Sequence, residues 1–191
     1  MSAATTHPRI FTIGHSTRDF DEVVGMLDQN GVTELVDVRS LPGSRAFPQW
    51  DREAIEVELP ERIDYRWAKN LGGRRRTPAG VESPNGWWRV RAFRDYADYM
   101  ATPEFRAGLD ELLAEAASRV PVIMCSEAVP WRCHRRLITD AALVAGAEVF
   151  HIMSPTHVER AELNPAMVLV DGVLTYPPDE DPEQPDPEGT Q

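Results

Sequence analysis

The sequence predicts an α/β fold: a three-layer, Rossmann-like domain with a mostly parallel sheet of about five strands, helices on both faces and a small C-terminal hairpin. Short apolar segments alternate with segments whose apolar residues have helical spacing, which is the pattern of a parallel sheet covered by helices. Residues 120–125 are nearly all apolar, as is typical of a central strand buried on both faces. Asp171-Gly172 divides residues 166–176 and is the signature of a tight hairpin turn.

Each element is indicated by its own apolar pattern. The predicted strands cover residues 9–16, 32–40, 63–68, 120–125 and 148–153. The predicted helices cover the segment from strand one to Asn30-Gly31 and residues 51–63, 91–119 and 133–147. Ser16, followed by Asp19 three residues later, resembles a capping box at the start of the first helix. Thr102 and Pro103 divide the third helix, because threonine caps a helix and proline suits its first position.

The length of 191 residues fits one domain, which we place at residues 9–176. Residues 1–8 are predicted to be a flexible N-terminus, and the acidic, proline-rich residues 177–191 a disordered tail. The apolar runs are too short to span a bilayer, and the N-terminus lacks an apolar signal region. We therefore expect a cytoplasmic protein without membrane association.

Charge is distributed unevenly along the chain, so the net charge of −11 does not by itself exclude an anionic partner. Residues 177–191 hold six carboxylates, whereas residues 62–94 hold nine arginine or lysine residues against two acids. Arginine binds phosphate and carboxylate groups in planar, bidentate geometry. Residues 71–78 and 85–96 combine glycine, arginine and aromatic residues. Such residues suit stacking on bases, the apolar face of a helix or a lid over a site, and these alternatives stay open for Trp87, Trp88, Phe93 and Tyr96. A codon-usage bias towards arginine would give the same composition.

Polar and chemically active residues follow three of the predicted strands. Because ligands of open parallel sheets bind outside the carboxyl ends of the strands, we expect these residues to share one rim. The rim residues are Gly14, His15, Ser16, Asp37, Arg39, Ser40, Cys125, Ser126 and Glu127. The next helix starts near Arg132 to His134, and the positive end of its dipole favours an anion at the same rim.

Three of these residues are candidate catalytic groups, and each has a structural alternative. Cys125 ends a strand before a helix, where a thiol can act as a nucleophile, but it also fits an apolar core strand. Glu127 can act as a general acid or base, or can be a solvated loop residue. His15 can belong to the site or can hydrogen-bond a neighbouring loop. Arg39 can bind a substrate anion or hold the loop that follows it.

The two cysteines permit a metal or redox site, although neither a metal nor a cofactor is expected. Cys125, Glu127, Cys133 and His134 are suitable zinc ligands by type. Their spacing matches no cysteine-pair motif, and adjacent side chains at Cys133 and His134 diverge if both lie on a helix. Cys133 also shares an apolar helical stripe with Leu137, which favours the core. A disulfide between Cys125 and Cys133 requires the loop to fold back.

Four motifs together resemble domain-of-unknown-function family 488 over residues 9–155: "FTIGHSTRDFDEVVGML", "ELVDVRSLPGSRAFPQW", "LGG" and "MCSEAVPWRCHRRLI". The resemblance implies no settled activity. Its recognisable positions fall mostly on the predicted rim and add Gly72, Gly73 and Arg135. With Arg74 beside the glycines, the predicted anion-binding set is Arg39, Ser16, Ser40, Ser126, His134, Arg135, Gly72, Gly73 and Arg74. A weaker resemblance to sulfurtransferases of the rhodanese type lacks the compact loop after the cysteine, so sulfur transfer is not expected.

Three functions remain open at this point. The first is an enzyme acting on a nucleotide-like or nucleic-acid anion through Cys125, Glu127 and His15. The second is a nucleic-acid or nucleotide binding module without chemistry, resting on the arginine-rich segment. The third is a thiol redox or metal-binding protein that uses Cys125 and Cys133.

Overall fold

A computed structural model of the chain describes residues 7–178. Apart from residues 7–8 and 177–178, the predicted flexible N-terminus and acidic tail lie outside this range. The centre of the fold is a six-stranded sheet with the order β3-β2-β4-β1-β5-β6. Its strands are β1 (Arg9–Gly14), β2 (Glu34–Asp37), β3 (Asp64–Trp67), β4 (Pro121–Cys125), β5 (Glu148–Ser154) and β6 (His157–Arg160). The first five are parallel, as predicted, and β6 pairs antiparallel with β5.

Helices cover both faces of the sheet, which confirms the predicted three-layer α/β fold. They are α1 (Phe20–Gln29), α2 (Arg52–Glu58), α3 (Arg91–Tyr99), α4 (Pro103–Ala116) and α5 (Arg135–Val144). One apolar core joins α1 and α2 to the sheet through residues such as Phe20 and Ile55. A second core joins α3, α4 and α5 to the opposite face, with Leu112 and Leu137 among its members.

Strand β4 shows how the sequence builds these two cores. Val122 and Met124 belong to the core under α1 and α2, whereas Ile123 and Cys125 belong to the core under α3 to α5. Successive side chains of a strand point to opposite faces, so a strand covered on both sides must be apolar throughout. All five residues of β4 are buried, and the prediction of a central strand is confirmed.

Of two helix starts predicted from the sequence, one is confirmed and one is wrong. Thr102 accepts a hydrogen bond from the backbone N–H of Phe105 and Pro103 is the first residue of α4, as predicted. The predicted capping box of Ser16 is wrong, since the cap position of α1 is Asp19. Strand pairing continues past β1, and the N–H of Ser16 donates to the carbonyl of Ser126 at 2.9 Å. Ser16 therefore still belongs to the sheet edge, and its φ of 49° starts the turn towards α1.

The segment between β4 and α5 also differs from the prediction. Helix α5 begins at Arg135 rather than at Cys133, because Pro130–Arg132 forms a separate 3₁₀ turn. Cys133 has extended backbone angles, φ −134° and ψ 146°. The side chains of Cys133 and His134 therefore do not follow the spacing of one continuous helix.

The C-terminal hairpin is confirmed as β7 (Val168–Val170) and β8 (Val173–Thr175). Asp171 and Gly172, between these strands, both have positive φ, as a two-residue hairpin turn of this kind requires. Within residues 7–178, no helix combines the length and apolar character needed to cross a bilayer.

Candidate functional site

The strand order places the carboxyl ends of β1, β2 and β4 next to each other. The chain moves from β1 to β2 and β3 in one direction along the sheet, and from β3 to β4 and β5 in the other. Open α/β sheets carry their ligand sites at such a reversal. A cavity of about 690 Å³ lies there. Of the predicted site residues, it is lined by His15, Ser16, Arg39, Ser40, Gly73, Arg74, Cys125, Ser126, Glu127 and His134, but not by Gly72 or Arg135.

Gly14 brings two of these strand ends into direct contact. A Cβ on Gly14 would lie 2.6 Å from the carbonyl carbon of Glu127 and 2.9 Å from the carbonyl oxygen of Ala128. No side chain fits at that separation, so the segment after β4 crosses β1 only because the residue is glycine. This crossing holds the Glu127 backbone over the end of β1.

A buried ion pair forms the floor of the cavity at the end of β2. Arg39 donates to both carboxylate oxygens of Asp37, with Nε–Oδ1 at 2.9 Å and Nη2–Oδ2 at 2.6 Å. Tyr65 donates its hydroxyl to Asp37 Oδ2 at 3.0 Å, and burial together with the Asp37 charge raises the pKa of Tyr65. Most of the Arg39 charge is therefore already matched within the protein.

His15 is buried beside this pair in a neutral form. Its Nδ1 lies 3.0 Å from the carbonyl oxygen of Ser16, so Nδ1 carries the proton, and Nε2 faces Arg39 Nη1 at 3.5 Å. Burial and then the charge of Arg39 lower the pKa of His15 to about 4. The imidazole also stacks on Trp50, with the ring centroids 4.6 Å apart. Trp50 was not predicted as a site residue, because its loop position gives no sequence signal.

Cys125, Cys133 and His134 meet at the end of β4. Their two sulfur atoms and a histidine ring nitrogen all lie within 4.8 Å of one another, and both cysteines are buried with free thiols. His134 Nε2 lies 3.0 Å from the carbonyl oxygen of Val38 and donates to it. The other nitrogen, Nδ1, then carries a lone pair, and it lies 3.6 Å from Cys133 Sγ.

Arg135 supports this cluster from inside the fold. It is only 1% exposed, and it donates from Nε to Cys133 Sγ at 3.4 Å and from Nη2 to the carbonyl of Glu127 at 2.6 Å. A hydrogen bond with Cys133 and burial raise the pKa of Cys125 to about 12. Burial opposes ionisation of Cys133, but the Cys125 thiol and the Arg135 guanidinium outweigh it and lower that pKa to about 6. Of the two thiols, Cys133 is therefore the one that ionises more readily.

The glycine loop packs directly against the rim. A Cβ on Gly72 would lie 3.0 Å from Ser40 Oγ, and one on Gly73 would overlap the ring of His134. The backbone N–H of Arg74 donates to Ser40 Oγ at 2.7 Å. The two glycines thus allow a close approach of the loop, while the side chain of Arg74 is exposed at the cavity.

The cavity has a charged rim and apolar walls. Arg74, Arg132 and Glu127 are exposed at its edge. Phe47 and Phe93 also line it and are partly buried. Sequence reasoning did not select Arg132 or Phe47 as candidate site residues, since nothing in their local pattern separates them from structural residues. Phe93 was among the aromatic residues that the sequence offered for stacking on bases.

Much of the arginine-rich and aromatic sequence between residues 62 and 96 has a structural role. Trp88 and Tyr96 are core residues, so they do not form an exposed platform for bases. Arg66 pairs with Glu34, and Arg75 lies 3.9 Å over the ring of Tyr99 while donating to backbone carbonyls. Tyr96 thus fits the helix-face alternative, Trp88 packs in the same core ahead of α3, and Phe93 lines the cavity.

Fold and cavity together define a three-layer α/β protein with a ligand-sized cleft at the carboxyl edge of its parallel sheet. The sequence model described as Domain of unknown function DUF488 matches residues 19–142, which is more than half of the chain. The chain belongs to this family. Neither curated proteins nor solved structures give a match.

Proposed function

We propose that the protein is an enzyme that binds a phosphate-bearing, nucleotide-like small molecule in the cavity at the carboxyl edge of the sheet. The observation that carries this proposal is the pair of rim arginines, Arg74 and Arg132. Within residues 7–178 neither side chain has a carboxylate partner, and both are exposed at the cavity. Arginines held without a counter-charge at a concave site are suited to a phosphate group.

The size and walls of the cavity support a ligand larger than phosphate alone. Its volume of about 690 Å³ lies within the usual range of small-molecule sites, roughly 300–1,000 Å³. Phe47 and Phe93 offer apolar surface for a flat ring, while Arg74 and Arg132 suit the phosphate end. Arg39 is engaged with Asp37, so we assign it to the shape of the floor rather than to primary phosphate binding.

Glu127 is the acid–base group that this proposal favours. Its carboxylate is exposed at the cavity, on the segment that crosses Gly14. A carboxylate within reach of a bound ligand can accept or return a proton during reaction. His15 suits that role less well, because burial lowers its pKa to about 4, which makes it a weak proton acceptor, and both of its nitrogens face partners.

The proposal is tested by calorimetric titration with ribonucleoside 5′-monophosphates, inorganic phosphate and a short single-stranded oligonucleotide. We expect R74A/R132A to weaken monophosphate binding by about 10- to 100-fold for each arginine, the usual value of a charge-assisted hydrogen bond. R9A/R106A removes the same charge from exposed positions that do not line the cavity and should bind as the wild type does.

Equal affinities of R74A/R132A and the wild type would contradict the proposal. Binding of the oligonucleotide alone, with a steep salt dependence, would replace the enzyme proposal by the binding module. E127Q should bind the monophosphate normally while losing any turnover that the wild type shows, because only the proton-transfer group has changed.

A further inference from the structure

We propose that Cys125, Cys133 and His134 form a zinc site whose fourth position opens into the cavity. Two thiolates and one imidazole are the donor types that select Zn²⁺ over the harder divalent cations. The site does not depend on the nucleotide proposal, because the three donors are defined by contacts among themselves.

The spacing of the donor atoms fits a tetrahedral zinc ion. Bonds of about 2.3 Å to sulfur and 2.0–2.1 Å to nitrogen place two such ligands about 3.6 Å apart in a tetrahedron. Cys133 Sγ and His134 Nδ1 are separated by 3.6 Å. The Cys125 sulfur completes a group that lies within 4.8 Å, so a small adjustment of this side chain brings it into range.

His134 is oriented as a metal-binding histidine would be. Zinc-ligating histidines usually donate their second ring N–H to a carbonyl or carboxylate, which fixes the tautomer. His134 Nε2 donates a hydrogen bond to the carbonyl of Val38 at 3.0 Å, which leaves Nδ1 with the lone pair that can bind a metal.

Gly73 leaves the lone pair of His134 Nδ1 accessible. A Cβ on Gly73 would lie nearest to Nδ1 and 2.8 Å from both Cγ and Cε1 of the ring. A point along the in-plane lone pair would be farther from both carbons than a point above the ring. The short distances to Cγ and Cε1 therefore place this Cβ over the ring face. The loop thus packs on the imidazole without covering the direction in which a metal would bind.

The backbone between β4 and α5 removes one of the two sequence objections to a metal. Cys133 and His134 would diverge on one helix, but Cys133 is extended and α5 begins at Arg135. Arg135 Nε donates to Cys133 Sγ at 3.4 Å, an outer contact that orients the sulfur. A Zn²⁺ ion with two thiolates and a neutral imidazole is uncharged, so the buried guanidinium does not exclude it.

The open position points to a role in binding or catalysis rather than in folding alone. Structural zinc sites have four protein ligands, whereas catalytic ones keep one position for water or substrate. All three donor residues line the cavity together with Glu127. A water molecule or a ligand oxygen can therefore reach the metal from the cleft.

The experiment uses the full chain, stripped of metal by a chelator under reducing conditions and titrated with Co²⁺ and then with Zn²⁺. We expect roughly one Co²⁺ per chain, with the visible absorption of a tetrahedral ion and a thiolate charge-transfer band, both lost when Zn²⁺ displaces it. C133S and H134A should lose the tetrahedral spectrum, and H157A, which changes an exposed histidine outside the cavity, should keep it.

Two glycine variants test the position of His134 without removing a ligand. G73A should lower Zn²⁺ affinity by about 10- to 100-fold, the usual effect of disturbing an outer-shell contact. G43A adds a methyl group at another cavity glycine, where the nearest atom is 3.6 Å away, and should leave the affinity unchanged. A fall in affinity in both variants to the same extent would count against the proposed geometry.

Wild-type protein with both thiols reduced, folded by circular dichroism and without a thiolate–Co²⁺ band, would overturn the zinc site. A Cys125–Cys133 disulfide that forms in air, with no metal uptake after reduction, would likewise overturn it in favour of thiol redox chemistry. The wild-type spectrum decides even if C133S does not fold. Monophosphate titration of the metal-free protein separates the two proposals, since arginine-dependent binding there can persist when the zinc site fails.

Discussion

Replacing Asp37 by asparagine tests whether the buried ion pair with Arg39 holds the floor of the cavity. Asp37 is fully buried and Arg39 is 6% exposed, with Nη2–Oδ2 at 2.6 Å. Asparagine keeps the size of the side chain but leaves the guanidinium without a counter-charge. Removing one partner of a buried pair costs about 3–5 kcal/mol. For a chain of this length, that loss lowers Tm by about 6–20 °C.

The measurement is urea unfolding followed by tryptophan fluorescence, with Trp50 close to the altered site through its contact with His15. D28N is the matched control, because Asp28 pairs with Arg62 on the surface, where solvent screens the interaction. We expect D28N to unfold at nearly the urea concentration of the wild type. If D37N and D28N have the same midpoint, the ion pair does not stabilise the floor.

Two further predictions concern backbone contact and pH. G14A should fail to fold or lose several kcal/mol of its free energy of unfolding, because its Cβ would lie 2.6 Å from the Glu127 carbonyl carbon. The control G25A lies in α1 with no atom within 4 Å and should gain about 0.5–1 kcal/mol of stability. Thermal melts that rank the two variants alike would refute this. Burial and then Arg135 lower the pKa of His151 to about 4, so the unfolded chain binds its proton first and stability falls as pH drops below about 6.5. The free energy of unfolding, measured by urea titration from pH 7 to 5, should therefore fall less in H151N than in the wild type, by on the order of 2 kcal/mol at pH 5. The same pH dependence in both proteins would contradict the assignment.

Most of the fold could be predicted because its central strands, β1, β2 and β4, are buried on both sides and so are mainly apolar. Strand β4 is the clearest example, with every residue in one of the two cores. Strand β6 was not predicted, since all four residues from His157 to Arg160 are exposed and lack an apolar pattern. An edge strand of that kind is defined by the backbone hydrogen bonds of β5, which the sequence does not display.

The candidate site was predictable in outline for a different reason. Parallel strands bring their carboxyl ends to one edge, so His15, Arg39 and Cys125 could be placed together without knowing the strand order. The partners of each group could not be predicted, because they depend on side-chain direction. The convergence of Cys133 and His134 was missed in this way, since a 3₁₀ turn at Pro130–Arg132 changes where the helix begins.

The three strands that carry the cavity, β1, β2 and β4, each have a neighbour on both sides within the sheet. Their backbone groups are therefore exposed only when the sheet itself separates, which requires global unfolding rather than local opening. A molecule bound at their carboxyl ends consequently binds the native state alone and stabilises the whole domain by RT ln(1 + L/Kd), where L is its free concentration. In this fold, occupancy of the cleft and resistance to unfolding are thermodynamically linked.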